Sequence, residues 1–127
     1  MYSLCKSERL CRKTLIEELF AHDMSFVRYP YRVIVKQSSL PGEYPARIAI
    51  SVSKKKFRRA VQRNRIKRLT REAYRLNKTN LYKSMPEGKT LDILFIFLDT
   101  RLPDYPKIEK AVKDSLQKIQ HKFAPIP

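Results

Sequence analysis

Hydrophobic positions near the N-terminus recur at helical spacing. Thr14 is followed three residues later by Glu17, which is the capping-box pattern that opens many helices. The apolar residues that follow the cap share one stripe of a helix: Leu15, Ile16, Leu19 and Phe20. The spacing therefore predicts a short first helix over residues 14–20.

Two later segments alternate with the period of a β-strand. In residues 29–37 one face carries Tyr31, Val33 and Val35, and the other carries Arg32, Ile34 and Lys36. In residues 46–53 the core side carries Ile48, Ile50 and Val52. The loop between the two segments contains a Pro-Gly turn at 41–42, so the pattern predicts a hairpin with a long connection.

The C-terminal half combines a strand with a helix. Residues 91–98 are apolar on both faces, which favours a central strand. After Pro103 and Pro106 the apolar positions return to steps of three and four: Ile108, Val112, Leu116, Ile119 and Phe123. With a helix expected over about residues 58–77, the element order is α-β-β-α-β-α. This order predicts one α+β domain over residues 1–127, with helices packed on a small sheet.

The charge of the chain restricts its partners. Its 127 residues include 28 lysines and arginines against 12 aspartates and glutamates, a formal net charge of +16. Such an excess requires a polyanion or an anionic surface. A membrane is the weaker choice, because the longest apolar run, residues 94–98, is far shorter than the roughly 20 residues of a span. The first residues also lack the apolar stretch of a signal peptide, so we expect an intracellular protein.

Residues 60–77 form a helix with two distinct sides when they are placed at 100° per residue. The apolar side is expected to dock on the sheet and carries Ile66, Leu69, Ala73 and Leu76. The opposite side carries Asn64, Lys67, Arg68, Arg71 and Arg75, with Arg63 and Arg65 flanking it. The cations continue upstream at Lys54, Lys55, Lys56, Arg58 and Arg59. From residue 54 to residue 75, eleven cationic residues face a single acid, Glu72.

This one-sided charge predicts a nucleic-acid partner. A helix whose charges only keep a protein soluble usually pairs Glu with Lys four residues apart. Here like charges follow one another at that spacing, which costs roughly a few tenths of a kcal/mol per pair in the free helix. The arginine fork binds phosphate bidentately and stacks on bases, and Asn64 adds a donor and an acceptor for a base edge or a 2′-hydroxyl. DNA is disfavoured, because the chain has no helix-turn-helix or dimer signature.

The segment "SVSKKKFRRAVQRNRIKRLTREAYRL" resembles the signature of the protein subunit of bacterial ribonuclease P. The hallmark is a Lys-Lys pair after a strand, followed by Arg-Asn-Arg-x-Lys-Arg-x-x-Arg-Glu on a helix. The residues that match it in register are Arg63, Asn64, Arg65, Lys67, Arg68, Arg71 and Glu72. The resemblance covers about residues 9–123, the expected ordered core. It implies a sandwich like the second domain of ribosomal protein S5, whose parallel strand pair is joined by a left-handed crossover, although general sterics favour the right hand.

The resemblance also implies a function. The enzyme is a ribonucleoprotein that removes the 5′ leader from precursor tRNA, and its RNA subunit does the chemistry with Mg²⁺. The protein is then a cytoplasmic partner of RNase P RNA and precursor tRNA, with no catalytic or metal-binding residue of its own. The residues expected to bind RNA are Lys54, Lys55, Lys56, Arg59, Arg63, Asn64, Arg65, Lys67, Arg68, Arg71 and Arg75.

The same resemblance places the leader in a cleft between the first helix and the sheet. The expected cleft residues are Phe20, Arg32, Ile34 and Lys36. Two departures from the family affect this cleft. Ile16 stands where an aromatic residue is common, and Asp99 precedes Arg101 where the end of the third predicted strand is often basic.

Two other functions are compatible with the composition. A protein-only nuclease needs clustered carboxylates for two metal ions or a histidine acid–base pair, and His22 and His121 have no matching partner in their segments. Cys5 and Cys11 likewise lack the second pair that a zinc site requires. A ribosomal or general RNA-binding protein shares the basic helix but needs no leader cleft. Cleavage without RNA identifies the first function, and equal affinity for precursor and mature tRNA identifies the second.

Overall fold

The structure, a computed structural model, describes residues 24–37, 45–84 and 90–123, and within them it forms four strands and three helices. These elements are β1 (Met24–Arg28), β2 (Tyr31–Gln37), β3 (Ala46–Ser51), α1 (Ala60–Asn77), α2 (Thr79–Ser84), β4 (Leu91–Phe97) and α3 (Tyr105–Phe123). The helix expected over residues 14–20 lies outside the described residues. The α+β fold class is confirmed, with one more strand and one more short helix than the sequence pattern predicted.

The four strands form one sheet in the order β1-β2-β4-β3. β1 pairs with β2 and β2 with β4 in antiparallel fashion, whereas β3 and β4 are parallel. The parallel pair is joined through α1, as the resemblance implies, and the hand of this crossover stays an expectation. The predicted hairpin between β2 and β3 is wrong, because β4 lies between them. A strand that is apolar on both faces is best buried in the centre of a sheet, and β4 takes that position.

β1 is a strand that the alternation of the sequence did not reveal. Only Phe26 of its five residues is buried, so the strand lacks the apolar period of β2. Phe26 packs in the main core, and the Lys118 ammonium lies 4.7 Å from its ring centroid. Tyr29 and Pro30 form the turn into β2 instead of beginning that strand. β1 is therefore an edge strand that one aromatic anchor and its ladder with β2 hold in place.

The main core lies between one face of the sheet and the inner sides of α1 and α3. α3 contributes the four described residues that its period predicted: Ile108, Val112, Leu116 and Ile119. The fully buried Tyr31 stands edge-on to Phe95 and Phe97, with ring centroids 5.6 and 5.5 Å away. The Tyr31 hydroxyl donates to the Thr70 hydroxyl at 2.5 Å, and Thr70 donates to the Ile66 carbonyl at 2.8 Å. This chain of hydrogen bonds ties β2 to α1.

α1 is rotated relative to the docking side that the apolar pattern predicted. It packs mainly against α3 and only secondarily against the sheet. Three of the four predicted residues pack inward: Ile66, Leu69 and Ala73. The fourth, Leu76, is 39% exposed, whereas Thr70 and Tyr74 are fully buried. Apolarity alone misplaced the buried side, because Thr70 and Tyr74 satisfy their hydroxyl groups by hydrogen bonds inside the protein.

The buried Tyr31 hydroxyl makes stability depend on alkaline pH. Burial raises the pKa of Tyr31 to about 12, above the value near 10 of an unfolded tyrosine. Between these two values the folded chain keeps a proton that the unfolded chain loses, so the free energy of unfolding should fall as pH rises from about 10 to 12. The loss is expected to be on the order of 2 kcal/mol and is measured by urea unfolding across this range. In Tyr31→Phe the decline should be shallower, and an unchanged decline contradicts the assignment.

Candidate nucleic-acid interface

The outward side of α1, called here the α1 face, is defined by Asn64, Arg65, Lys67, Arg68, Arg71 and Arg75. Asn64, Arg65 and Arg68 are exposed, and the other three are half-buried. A groove of about 790 Å³ runs along this side, and Val61, which is 78% exposed, also lines it. From Asn64 to Arg75 the stripe spans about 16 Å at the helical rise of 1.5 Å per residue. The α1 face is therefore long enough to contact several phosphates of one RNA strand.

The single acid on this helix holds one of the arginines. The Arg75 Nε donates to the Glu72 Oε2 at 3.0 Å, and a terminal nitrogen of Arg75 donates to the Glu72 Oε1. These hydrogen bonds keep the pKa of Glu72 below its usual value, so the carboxylate is charged at neutral pH. Arg65 and Arg68 make no ion pair with any residue that the structure describes. Their cations are thus the ones most available to a phosphate.

The basic loop, residues 54–59, precedes α1 and is anchored by one aromatic side chain. Phe57 is buried with its ring centroid 5.9 Å from that of Phe97, and its backbone N–H donates to the Ser53 carbonyl at 3.0 Å. The Lys56 ammonium donates to the Leu98 carbonyl at 2.6 Å, which joins the loop to the end of β4. The other cations of the loop remain exposed: Lys54, Lys55, Arg58 and Arg59. The anchor presents these cations beside the beginning of α1.

Arg63 has a structural role that the sequence did not predict. Its guanidinium donates to the carbonyls of Phe57 and Arg58 at 2.8 and 3.0 Å, so it fastens the basic loop to the first turn of α1. The N-cap residue, Arg59, makes no side-chain capping hydrogen bond, and the first turn of the helix contains no acid. The helix dipole therefore adds to the positive field of the loop without an opposing carboxylate.

The opposite face of the sheet, called here the outer sheet face, carries the other predicted residues. The register aligns Ile34 of β2 with Leu94 of β4, and Leu94 with Ala49 of β3. These residues and Ile96 form a second apolar cluster, in which Ile34 is only 4% exposed. Arg32 is exposed and Lys36 half-buried on either side of Ile34. Two cations thus flank an apolar strip, while Phe20 lies outside the described residues.

A buried ion pair on this face was missed by the sequence reasoning. Arg47 of β3 stands opposite Asp92 of β4 in the register, and its Nε and a terminal nitrogen contact the Asp92 Oδ1 at 2.9 and 2.8 Å. Lys36 of β2 is the register partner of Asp92 on the other side. The sequence did contain a signal for this ion pair. Asp92 is the one charged residue in the apolar run of β4, and a buried charge requires a partner.

The sheet separates the two candidate surfaces. The buried side of α1 belongs to the main core, and Arg32, Ile34 and Lys36 alternate to the other side of β2. In the part of the chain that the structure describes, no group of three His, Cys, Asp or Glu residues could hold a metal ion. No helix within the same residues is long and apolar enough to cross a membrane. The two surfaces present guanidinium and ammonium donors on two sides of one sheet.

Comparison with known proteins identifies related sequences. The family model described as Ribonuclease P matches residues 4–120. The ribonuclease P protein components of two strains of Porphyromonas gingivalis are each 42% identical over 119 residues, which is 93% of this chain and 87% of theirs. The corresponding protein component of Chlorobium phaeobacteroides is 32% identical over 130 residues, covering 94% of this chain and 86% of that protein.

Solved structures agree with the fold. The RNase P protein from Thermotoga maritima has a TM-score of 0.65 at 25% identity and covers 87% of this chain and 96% of its own. A Staphylococcus aureus RNase P protein mutant, whose mRNA degradation activity is defective, has a TM-score of 0.70 at 23% identity. That match covers 91% of this chain and 90% of the mutant, and at this identity it supports the fold alone. With the family match over most of its length and relatives above 40% identity, the chain belongs to the ribonuclease P protein family.

Proposed function

We propose that this RNase P protein subunit binds the catalytic RNA through the α1 face and the basic loop, and holds the 5′ leader of precursor tRNA against the outer sheet face. The RNA subunit carries out the cleavage with Mg²⁺, and the protein supplies cations and positions the substrate. The observation that carries this proposal is the α1 face itself, where guanidinium groups line one groove with a single carboxylate beside them.

The chemistry of the α1 face supports binding to RNA phosphates. Arg65 and Arg68 extend into solvent, and each guanidinium matches two phosphate oxygens. The Glu72 carboxylate is engaged with Arg75, so it offsets one cation and leaves the rest of the stripe positive. Asn64 stands among these donors as the one exposed amide. It can accept a hydrogen bond from a 2′-hydroxyl, which distinguishes RNA from DNA.

The outer sheet face supports a second contact that does not compete with the first. Because the sheet separates this face from α1, one RNA strand can lie on each side at the same time. Arg32 and Lys36 provide cations at the two ends of the apolar strip around Ile34. A single-stranded leader presents both phosphates and unpaired bases, which match cations and an apolar surface. Phe20 remains part of this proposal as a residue predicted by the resemblance.

The proposal predicts a lower requirement for Mg²⁺ in the complex than in the RNA alone. The cations of the α1 face and the basic loop offset repulsion between phosphates, a task that otherwise falls to metal ions. The experiment is cleavage of precursor tRNA by the cognate RNase P RNA across a Mg²⁺ titration, with and without the protein. We expect the midpoint of the titration to fall to lower Mg²⁺ when the protein is present.

Two controls and one outcome of the titration separate the competing functions. Protein without RNA should not cleave, and cleavage by the protein alone would identify a protein-only nuclease. The complex should bind precursor tRNA more tightly than mature tRNA, whereas equal affinities would identify a general RNA-binding protein. An unchanged Mg²⁺ midpoint would contradict the proposed role of the cations.

A further inference from the structure

A cavity of about 400 Å³ lies at one end of the sheet, and no residue of the α1 face lines it. It is formed where the turn between β1 and β2, the segment after β4 and the N-terminal half of α3 meet. Tyr29, Pro30, Leu102 and Pro103 supply its apolar lining, and Arg28, Arg101, Lys107 and Lys110 supply cations. The volume lies within the range of sites that hold small organic groups.

Tyr29 presents an exposed aromatic ring, and its hydroxyl group contacts Asp99. Its side chain is 66% exposed, and the neighbouring Leu102 is 47% exposed. The Tyr29 hydroxyl hydrogen-bonds the Asp99 carboxylate, which raises the pKa of Tyr29 and lowers that of Asp99. Asp99 Oδ1 also accepts from the backbone N–H groups of Thr100 and Arg101 at 2.7 and 3.2 Å. The carboxylate therefore orders the segment after β4, beside the ring.

Cations form part of the cavity lining, and hydrogen bonds through Leu98 connect this region with the basic loop. Arg101 lies 3.9 Å from the Asp99 carboxylate with its side chain 86% exposed, so its guanidinium can turn to an incoming phosphate. Leu98 links the turn to the basic loop, because its N–H donates to the Pro30 carbonyl at 2.7 Å and its own carbonyl accepts from the Lys56 ammonium. The acids of the lining are Asp99, which is engaged as described, and Asp104 and Asp114. The lining thus carries four cations, Arg28, Arg101, Lys107 and Lys110, against three carboxylates.

We propose that this cavity binds one unpaired nucleotide of RNA, with the base stacked on Tyr29 and the adjoining phosphate held by Arg28 and Arg101. A base has an aromatic face that matches the exposed ring, and stacking of this kind tolerates any sequence. The phosphate matches the cations in a chain whose net charge is +16. This site goes beyond the proposed function, because its lining includes no residue of the α1 face and none of the predicted leader residues Arg32, Ile34 and Lys36, although Arg101 stands at the strand end that is often basic in the family.

The absence of tryptophan from the chain allows a direct optical test that needs no RNase P RNA. Tyr29→Trp places the sole indole of the protein in the cavity. Leu76→Trp places it at another exposed position, at the end of α1, where Leu76 lines a different pocket together with Leu116, Gln117 and Gln120 of α3. Each variant is titrated with a short single-stranded oligoadenylate. A stacked base should quench the emission of Tyr29→Trp saturably and leave that of Leu76→Trp unchanged. Equal quenching of both, or of neither, overturns the proposal.

Affinity measurements then assign the ring its role. Tyr29→Ala should weaken oligoadenylate binding about fivefold or more, from the lower end of the stacking range. Tyr29→Phe keeps the ring and loses only the hydroxyl, so it should bind within about twofold of the wild type. Urea unfolding of both variants checks that the fold is intact. If Tyr29→Phe loses as much affinity as Tyr29→Ala, the hydroxyl and not the ring is what matters, and base stacking is refuted.

Binding experiments with the holoenzyme show whether the leader or the catalytic RNA supplies the nucleotide. If it belongs to the leader, Tyr29→Ala should weaken binding of precursor tRNA and spare mature tRNA. If it belongs to the catalytic RNA, the same variant should weaken assembly of the protein with that RNA. If it weakens neither complex, the cavity has no place in RNase P and the proposal is overturned. Failure of the Mg²⁺ experiment alone leaves the oligoadenylate result standing, so the two proposals fail separately.

Discussion

Replacing Arg65 and Arg68 together with alanine is expected to weaken binding of the protein to the cognate RNase P RNA about a hundredfold. Both side chains are exposed on the α1 face, and each charged hydrogen bond to phosphate contributes on the order of 1.5 kcal/mol or more. The wild type should show a slope of log K against log salt of magnitude roughly four to seven, if about six to eight cations contact phosphates. The double variant should lower that magnitude by roughly 1.5. Filter binding across a series of salt concentrations measures both quantities.

A matched double variant controls for the loss of charge itself. Lys113→Ala with Lys122→Ala removes the same charge from exposed positions on α3. It should change the affinity only slightly, because the cations it removes lie outside the α1 face and the basic loop. If the two double variants lose equal affinity, RNA responds to net charge alone. A wild-type slope near one would also contradict the proposed use of the α1 face.

Asp92→Asn is expected to destabilise the fold by about 3 kcal/mol. Asp92 is 3% exposed and accepts two contacts from Arg47, whose side chain is only 15% exposed. Removing one charge of a buried pair leaves the other uncompensated, which typically costs about 3 to 5 kcal/mol. Asparagine keeps the shape of the side chain, so the change isolates the charge. Urea unfolding at neutral pH measures the difference.

The pair can also be removed as a unit. Arg47→Met with Asp92→Leu eliminates both charges and should cost much less than Asp92→Asn, since replacement of a buried pair by apolar residues is often neutral. The contrast between the two variants gives the cost of the unpaired guanidinium. If Asp92→Asn costs less than about 1 kcal/mol, the pair is solvated and its burial does not govern stability.

The α1 face and the outer sheet face differ in how far carboxylates neutralise their cations. On the α1 face, carboxylates are nearly absent, and the cations are held apart by the helix itself. On the outer sheet face, Asp92 sits between Arg47 and Lys36 in the register and reduces their net charge. The first surface is therefore suited to many phosphates, and the second to a strand that brings unpaired bases with fewer phosphate contacts. This division follows from the described contacts and fits the proposed binding of two RNA elements.

Sequence reasoning recovered the elements that depend on local pattern. α1, β4 and α3 were expected close to their observed bounds, because their apolar periods are long and regular. The cations of the α1 face could be placed on one side of a helix, because helical spacing fixes that side without knowledge of any partner. The family resemblance rested on this same segment, where the motif residues are contiguous in sequence.

What the sequence determined by itself is thus the local part of this protein: the helical and extended segments, the concentration of positive charge and the motif of the family. Only the tertiary structure decided which strands are neighbours, because β4 is apolar on both faces and takes the place between β2 and β3 that local alternation could not assign. It also decided that Thr70 and Tyr74 turn inward while Leu76 turns outward, since the hydroxyl groups that they contact, those of Tyr31 and Tyr82, lie on other elements. The ion pair of Arg47 with Asp92 and the cavity beside Tyr29 were likewise decided only by the tertiary structure. Each joins residues more than forty positions apart, and such contacts depend on how the chain packs, not on its local period.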